Sequence, residues 1–141
     1  MENTLSYLLR VISIKYRYYA HNVLGKDRWG ITQDLAIYHI AQQKKLNQKD
    51  LVSKLNITPA SVSNIVNKMK SQGLLLKVQD EKDGRKFTLS LTEKGQDLVS
   101  QVIRAWTKIQ KDITNEFTEN EKTTFFHLLK QLEKKLDKLN Q

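Results

Sequence analysis

The chain of 141 residues contains no cysteine, which excludes disulfide bonds, thiolate ligation of metals and cysteine-based redox sensing. This composition is compatible with a reducing cytoplasm, where we expect the protein to reside. No run of 18 consecutive apolar residues occurs, so the sequence predicts no membrane span and no membrane partner. Residues 1–23 lack the basic start and small-residue cleavage site of a signal peptide, and we interpret them as a helix.

Proline is also scarce, and so are motifs for catalysis or metal binding. The single proline is Pro59, which predicts uninterrupted helices elsewhere. We find no nucleophile–base–orienter set, no phosphate-binding glycine loop and no paired carboxylates, so we expect no enzyme. His21, His39 and His127 lack metal-ligand spacing. We interpret them as surface or core residues, although the fold could bring them together with acids such as Asp34. We expect no cofactor and no metal.

The net charge is strongly positive and unevenly distributed. The chain carries 24 basic and 15 acidic residues, a formal charge of +9. Ten of the basic and four of the acidic residues lie between Lys44 and Lys86, so two-thirds of the positive excess falls in under a third of the chain. This asymmetry favours a polyanionic partner, although solvated lysine faces are also common.

Two helices are predicted before residue 45. The first spans about residues 3–23, because its apolar residues recur every three or four positions. A connection follows from Leu24 to Gly30, and Thr32 can cap a second helix. The apolar residues of the first helix are Leu5, Leu8, Ile12, Tyr16, Tyr19 and Val23. Those of the second are Leu35, Ile37, Ile40 and Ala41.

The next segment carries the start signals of a third helix. Asn47 is placed to cap it, Asp50 can bond back to the cap, and the helix is predicted to end near Leu55. Leu46 can pack against Leu51 across the cap, which would set the angle at which the chain enters the helix.

A fourth helix start follows almost at once. Thr58 is the expected cap, Pro59 occupies the first helical position, and Gly73 suits the C-terminal end. Two short helices joined by a tight turn form a helix-turn-helix, and the alternative is an ordinary helical hairpin. The residues of the second helix predicted to face inward are Val62, Ile65, Val66 and Met69.

The other face of this second helix has an informative composition. Its side chains are small, polar or basic and include no acid, whereas a purely structural helix more often includes glutamate. A helix that enters the DNA major groove needs small side chains for close approach, and amides or hydroxyls for base edges and phosphates. This face therefore predicts a DNA-reading helix. It consists of Ala60, Ser61, Ser63, Asn64, Asn67 and Lys68.

After Gly73 the apolar period changes from about 3.6 to 2 residues, which predicts strands. Two such runs around a turn predict a β-hairpin, in which Gly84 is expected to permit the tight turn. A hairpin directly after a helix-turn-helix makes a winged helix-turn-helix, with the charged stretch Asp80–Lys86 at the tip of the wing. Leu74, Leu76 and Val78 alternate with Leu75, Lys77 and Gln79 in the first run, and Phe87, Leu89 and Leu91 alternate with Thr88 and Ser90 in the second.

The remainder of the chain is predicted to be helical. Thr92 can cap a helix, a break lies near Phe117, and Thr118 with Glu121 forms a capping box for a last helix. The apolar spacing of the last helix is typical of a coiled coil. We expect a helical dimer interface, and an intramolecular bundle is the alternative. The apolar stripes are Val99, Val102, Trp106, Ile109 and Ile113, and then Phe125, Leu128, Leu129, Leu132, Leu136 and Leu139.

This order of elements resembles the MarR family of bacterial transcriptional regulators. The most specific signature is Asp83-x-Arg85 followed by Leu89-x-Leu91-Thr92-x-x-Gly95, and the resemblance covers essentially the whole chain. It implies a mainly α fold with a small β-hairpin, in which residues 31–95 form the winged helix-turn-helix. Residues 1–30 and 96–141 would form the dimerisation region. The implied protein is a homodimer on pseudo-palindromic operator DNA, usually a repressor, and many members release DNA when a small, often anionic aromatic ligand binds.

The resemblance also implies roles for individual residues. The segment from Pro59 to about Ser71 would be the recognition helix, and Arg85 would reach the minor groove. The spacing of Asp83 predicts that it holds the guanidinium of Arg85, and Lys86 is expected to contact phosphate. The full set of expected DNA contacts is Gln48, Thr58, Ala60, Ser61, Ser63, Asn64, Asn67, Lys68, Asp83, Arg85 and Lys86.

One residue departs from the family pattern, since many members have arginine where this chain has Asn64. Arginine suits guanine and asparagine suits adenine in the major groove, so we hypothesise an A/T-rich operator. A pocket for a small aromatic or anionic effector could be lined by six polar and aromatic residues. Packing in the core or in the dimer interface is the alternative explanation for each of them. They are Tyr16, Arg17, Tyr19, Trp29, Tyr38 and His39.

Two further interpretations remain open at this point. One is a DNA-binding regulator that needs no ligand and acts constitutively or architecturally. The other is a protein-interaction module whose winged helix does not read DNA. The basic wing and the acid-free helix face argue against the interaction module, and the salt dependence of DNA binding distinguishes the two.

Overall fold

The computed structural model describes residues 2–25 and 32–141. The predicted connection Leu24–Gly30, including Trp29, falls largely outside these residues. No helix within the two described ranges is long and apolar enough to cross a membrane. The helices and strands are α1 (Leu5–Leu24), α2 (Gln33–Gln42), α3 (Gln48–Leu55), α4 (Pro59–Ser71), β1 (Leu75–Gln79), β2 (Phe87–Leu91), α5 (Glu93–Thr114) and α6 (Glu119–Leu139). The chain divides into two compact units, Met1–Trp106 and Thr107–Gln141.

The first two helices lie where they were predicted, but the second begins differently. In α1 the Thr4 hydroxyl oxygen accepts a hydrogen bond from the N–H of Tyr7 at 3.3 Å. Thr32 precedes α2 but makes no capping hydrogen bond with its side chain, so its predicted role as a side-chain cap is wrong. Residues that cap in this way have extended backbone angles, whereas Thr32 lies at φ 69° and ψ 0°.

The helix-turn-helix is confirmed down to its caps. Asn47 accepts the N–H of Asp50 at 2.7 Å, and the Asp50 carboxylate accepts the N–H of Asn47 at 3.0 Å. Asn56 adopts a left-handed conformation at the end of α3, which turns the chain toward α4. Thr58 then caps α4 by accepting the N–H of Ser61 at 3.1 Å. Local side-chain signals therefore set both helix starts.

One apolar core holds the helix-turn-helix, the hairpin and the first half of α5 together within the first unit. It includes the predicted inward residues Val62, Val66 and Met69 of α4, with Ile65 packed against them. Burial of such side chains stabilises a fold by roughly 1.5–3 kcal/mol each, before the entropy cost of ordering them. The other core residues are Ala36, Ile37, Ile40, Leu46, Leu51, Leu74, Leu75, Leu89, Val99 and Val102.

The hairpin is antiparallel, and its register decides which face is buried. Leu75 pairs with Leu91 and Lys77 with Leu89, so these four side chains share one face. That face meets the core through Leu75 and Leu89, whereas Leu76 on the opposite face is exposed. The alternating pattern predicted both strands, but the buried face follows from the pairing and from the N–H of Leu89, which donates to the Leu46 carbonyl at 2.7 Å.

The hairpin is joined to α5 through Thr92 and Gly95. The Thr92 hydroxyl donates to the Gly73 carbonyl at 2.6 Å and accepts the N–H of Gly95 at 3.1 Å, which confirms Thr92 as the cap of α5. The Thr92 N–H donates to the Leu74 carbonyl at 3.0 Å. Gly95 is buried, and a side chain there would run into the backbone carbonyl oxygen of Leu74. Glycine at this position therefore allows α5 to approach the start of the wing.

The second unit contains the end of α5 and all of α6. The predicted break is confirmed, since α5 ends at Thr114 and the rings of Phe117 and Phe125 meet edge to face with centroids 5.5 Å apart. The capping box is also present, as the Thr118 and Glu121 side chains each accept the other's backbone N–H. Most of the apolar side chains of α6 are exposed in the single chain.

Candidate nucleic-acid interface and ligand cavity

Helix α4 presents one row of residues directly opposite its buried side. Ala60, Asn64, Asn67 and Ser71 follow one another at steps of four, three and four, which aligns them on the helix surface. All four are exposed. No residue of α4 is acidic. We call these four residues the α4 row.

The hydroxyl groups along α4 are mostly engaged within the helix. The Thr58 hydroxyl donates to the Ser61 oxygen at 2.9 Å, and the Ser71 hydroxyl donates to the Lys68 carbonyl at 2.7 Å. Asn64 and Asn67, in contrast, have no side-chain hydrogen-bond partner among the described residues. The free polar groups of the α4 row are therefore two carboxamides.

The other predicted contacts of the helix-turn-helix flank this row. Lys68 is exposed beside it, whereas Ser63 is half-buried on the other side. Gln48 is half-buried at the first position of α3, and Thr58 is exposed at the start of α4. Ser61 is exposed as well, and Ser63 and Gln48 are the least accessible of the predicted contacts in the helix-turn-helix.

The tip of the wing places an exposed arginine beside an acid. The Asp83 carboxylate accepts the backbone N–H of Arg85 at 3.0 Å and lies 3.6 Å from the guanidinium Nε. The Arg85 side chain is nonetheless 95% exposed. A surface ion pair of this kind adds little stability, so its effect is mainly on the position of the guanidinium. The neighbouring Lys86 is also exposed.

Hydrogen bonds from side chains to the backbone shape the rest of the turn. The Asp80 carboxylate accepts the N–H groups of Lys82 and Asp83 at 2.7 and 3.2 Å. The same two bonds lower the pKa of Asp80, so the turn carries this negative charge at neutral pH.

Gly84 has a different role from the one predicted for it. Its φ does not lie in the left-handed region, and the turn needs no unusual conformation there. Instead, the Gln79 amide donates to the Gly84 carbonyl at 2.8 Å, and a side chain at Gly84 would meet that amide nitrogen at 3.0 Å. Glycine therefore leaves room for the Gln79 side chain.

A cavity of about 260 Å³ lies in the first unit, among α1, the start of α2 and Trp106 of α5. Its walls are mostly apolar, and its charged or titratable groups are few. Arg17 has no ion-pair partner among the described residues. Across the cavity, the Asp34 carboxylate accepts the indole N–H of Trp106 at 2.9 Å. The lining residues are Ser13, Tyr16, Arg17, Ala20, His21, Leu24, Thr32, Asp34, Leu35 and Trp106.

The Tyr16 hydroxyl is suited to donate a hydrogen bond in this cavity. Burial raises the pKa of Tyr16, and the nearby Asp34 carboxylate raises it further. The phenol is therefore protonated at neutral pH. Besides Arg17, Asp34 and the Tyr16 hydroxyl, the lining contains polar groups of Ser13, His21 and Thr32 within mostly apolar walls.

The structure brings together some of the predicted ligand-binding residues but not all of them. Tyr16 and Arg17 line the cavity, and Trp29 lies outside the described residues. Tyr19 is not in the lining. Tyr38 packs against Trp106 with ring centroids 5.0 Å apart and ring planes at 55° to each other. His39 meets Tyr38 edge to face, and its pKa is lowered by burial and then by Lys54.

Sequence reasoning missed the hydrogen bond between Asp34 and Trp106, both of which line the cavity. They are 72 positions apart, and no spacing rule links them. The sequence identifies Asp34 only as an acid that the fold could bring close to the histidines. Within residues 2–25 and 32–141, no three groups from His, Asp and Glu are placed to hold a metal ion.

Comparison with known proteins identifies the family. The family model described as the MarR family matches residues 30–86. The homoprotocatechuate degradative operon repressor of Escherichia coli is 31% identical over 114 residues, which cover 79% of this chain and 71% of the repressor. The chain belongs to the MarR family. The recognised resemblance is confirmed, and the family is one of DNA-binding transcriptional regulators.

Solved structures of MarR-family proteins have the same fold. The complex of MepR from S. aureus with DNA superposes with a TM-score of 0.81 at 24% identity, over 94% of this chain and 98% of that one. BpsR of Bordetella bronchiseptica, whose DNA binding is regulated by 6-hydroxynicotinic acid, superposes with a TM-score of 0.84 at 20% identity. That match covers 94% of this chain and 95% of BpsR. The predicted winged helix fold of the MarR family is therefore confirmed.

Proposed function

We propose that the protein is a homodimeric repressor that binds a pseudo-palindromic DNA operator and releases it when a small ligand fills the cavity. The observation that carries the proposal is the exposed, acid-free α4 row in the same unit as a wing whose Arg85 is held by Asp83 and faces solvent. A helix with small and amide side chains suits the major groove, and a held arginine suits a narrow minor groove. Residues 31–95 would bind DNA, and residues 1–30 and 96–141 would dimerise.

DNA binding should depend steeply on salt. If Lys68, Arg85 and Lys86 of both protomers meet the DNA backbone or groove, about six cations displace counterions, and the slope of log K against log salt is about −5. Affinity should then fall roughly 1,000-fold between 50 and 200 mM salt. Fluorescence anisotropy with a labelled DNA duplex, whose sequence is taken from the region next to the gene for this protein, would measure this slope.

The variant Lys86→Ala provides a check on the same measurement. It should reduce the slope of the dimer by about 2 for every DNA sequence, because a phosphate contact carries no sequence information. A flat salt response of the wild-type protein would instead favour the interaction module that does not read DNA.

Exposed apolar residues on α1 and α6 support the dimer. Ile12 and Leu128 are 57% and 54% exposed in the single chain, and neighbours at helical spacing extend both patches. Apolar patches of this kind mark protein interfaces. The other exposed apolar residues of the two patches are Leu5, Leu8 and Tyr16 on α1, and Leu129, Leu136 and Leu139 on α6.

Leu128→Lys should weaken the dimer. A lysine there would bury an unpaired charge in the interface, which is strongly unfavourable. Sedimentation equilibrium should show a dimer for the wild type and a shift toward monomer, or a melting temperature that depends on concentration, for the variant. His127→Lys places a lysine on α6 where the residues three and four positions away are all polar, and it should remain dimeric. A wild-type protein that is monomeric at all concentrations would contradict the proposal.

The cavity supports release by a ligand. Its apolar walls suit an aromatic ring. Arg17, which has no ion-pair partner within residues 2–25 and 32–141, suits an anionic group. We propose that a small aromatic anion binds there. Since α1 and α2 both line the cavity, its occupancy would shift the DNA-binding elements relative to α1.

Benzoate, its hydroxylated derivatives and 6-hydroxynicotinic acid are suitable probes. A binder at 100 times its Kd should stabilise the protein by about 2.7 kcal/mol and raise its melting temperature. In a Trp29→Phe background, the remaining Trp106 should report binding by a change in fluorescence. Arg17→Ala should abolish both signals. If none of these acids binds or releases DNA, the ligand-independent regulator becomes the better interpretation.

A further inference from the structure

The two free carboxamides of α4 lie in one row and on one side of the helix. Asn64 and Asn67 are three residues apart, so their Cα atoms are separated by about 4.5 Å along the helix axis. Both are exposed, and both lack a side-chain partner among the described residues. Neither amide is needed to cap or stabilise the helix itself.

The remaining members of the α4 row restrict what the row can recognise. Ala60 offers only a methyl group, and the Ser71 hydroxyl is bonded to the Lys68 carbonyl. No arginine or acid occurs in α4, and its two lysines, Lys68 and Lys70, lie outside the row. The row itself therefore lacks the side chains that pair with guanine in bidentate fashion or accept from cytosine. A carboxamide pairs with the N6 and N7 atoms of adenine, and an alanine methyl suits the thymine methyl group.

The two amides cannot share one adenine, because each bidentate contact uses both N6 and N7 of that base. Stacked base pairs are about 3.4 Å apart, a spacing close to the separation of the two residues. We infer that Asn64 and Asn67 each read one adenine, so that every operator half-site contains two neighbouring A·T pairs beneath α4. This inference rests on the proposed DNA-binding function.

Operators selected by the wild-type protein from a random duplex pool provide the material for the test. Each adenine of the selected half-site is then replaced by 7-deazaadenine, which lacks the N7 acceptor but still pairs with thymine. At two neighbouring A·T pairs this change should reduce wild-type affinity about 5- to 10-fold, the effect of one lost hydrogen bond.

Two variants assign these positions to residues. In Asn64→Ala the effect of 7-deazaadenine should vanish at one position, and in Asn67→Ala at the other, because the contact is already lost. Each variant should bind the unmodified operator roughly 5- to 100-fold more weakly and lose its preference at that position only. Asn120→Ala is the matched control, since it removes an exposed carboxamide from α6 that has no partner among the described residues, and it should keep the wild-type base preferences.

The outcomes separate this inference from the proposed function. Selected half-sites with G·C pairs beneath α4, or 7-deazaadenine effects that persist unchanged in both variants, would overturn the inference while DNA binding stands. Absence of salt-dependent binding to any duplex would overturn the proposed function itself. All three variants change exposed side chains, so unchanged melting temperatures should confirm that they are folded.

Discussion

Replacing Gly95 with alanine should lower the free energy of unfolding by about 2 kcal/mol, within the usual range for overpacking a buried site. The new methyl group would overlap the Leu74 carbonyl oxygen and lie 3.3 Å from the Cβ of Leu91. Because the nearest atom that the methyl group would meet belongs to the backbone, no side-chain rotation can relieve the overlap. The hairpin and α5 would therefore have to move apart. The alanine gains up to about 1 kcal/mol of helix propensity, which offsets only part of this effect. Urea unfolding at fixed protein concentration would measure the loss.

Gly84→Ala is the matched control for this substitution. It also adds one methyl group to a glycine near the hairpin, but it meets the mobile end of the Gln79 side chain at 3.0 Å. Its effect should lie within about 0.5 kcal/mol of zero. A Gly95→Ala protein as stable as Gly84→Ala would show that the hairpin and α5 tolerate a wider separation, and the explanation given for Gly95 would then be wrong.

Replacing Arg85 with alanine should weaken operator binding by about 1–3 kcal/mol, which is roughly 5- to 150-fold in Kd. The guanidinium is almost fully exposed and lies 3.6 Å from Asp83, so it is accessible to a narrow, electronegative minor groove, where an arginine binds favourably. Anisotropy titration at a single salt concentration would measure the change. The dimer should remain intact, because a surface ion pair contributes little to stability.

Two further variants separate position from charge at the wing tip. Asp83→Ala keeps the arginine but removes both its carboxylate partner and the bond to its backbone N–H, so binding should weaken less than in Arg85→Ala. Lys82→Ala removes one positive charge from the same turn and should have the smallest effect of the three. If Arg85→Ala binds as tightly as the wild type, the wing tip is only a solvated loop.

Many of the helix starts could be predicted because their signals are local. Asn47 with Asp50, Thr58 with Pro59, and Thr118 with Glu121 each act within four residues, so the sequence alone locates the helix starts. The α4 row is equally local, since helical periodicity decides which residues lie opposite the apolar ones. The prediction for Thr32 is wrong because Thr32 has left-handed backbone angles, which the composition does not reveal. In this conformation its side chain does not cap the helix.

The sequence by itself determined the order of the elements, the helix-turn-helix, the charged wing and the acid-free face of α4, all of which depend on neighbours along the chain. Only the tertiary structure decided which face of the hairpin is buried, why residue 95 must be glycine, and that Asp34 accepts a hydrogen bond from Trp106 in the wall of a cavity. These features join residues far apart in sequence. Their contacts depend on how whole elements pack, because the free energy of packing is shared among many side chains and is not carried by any single spacing.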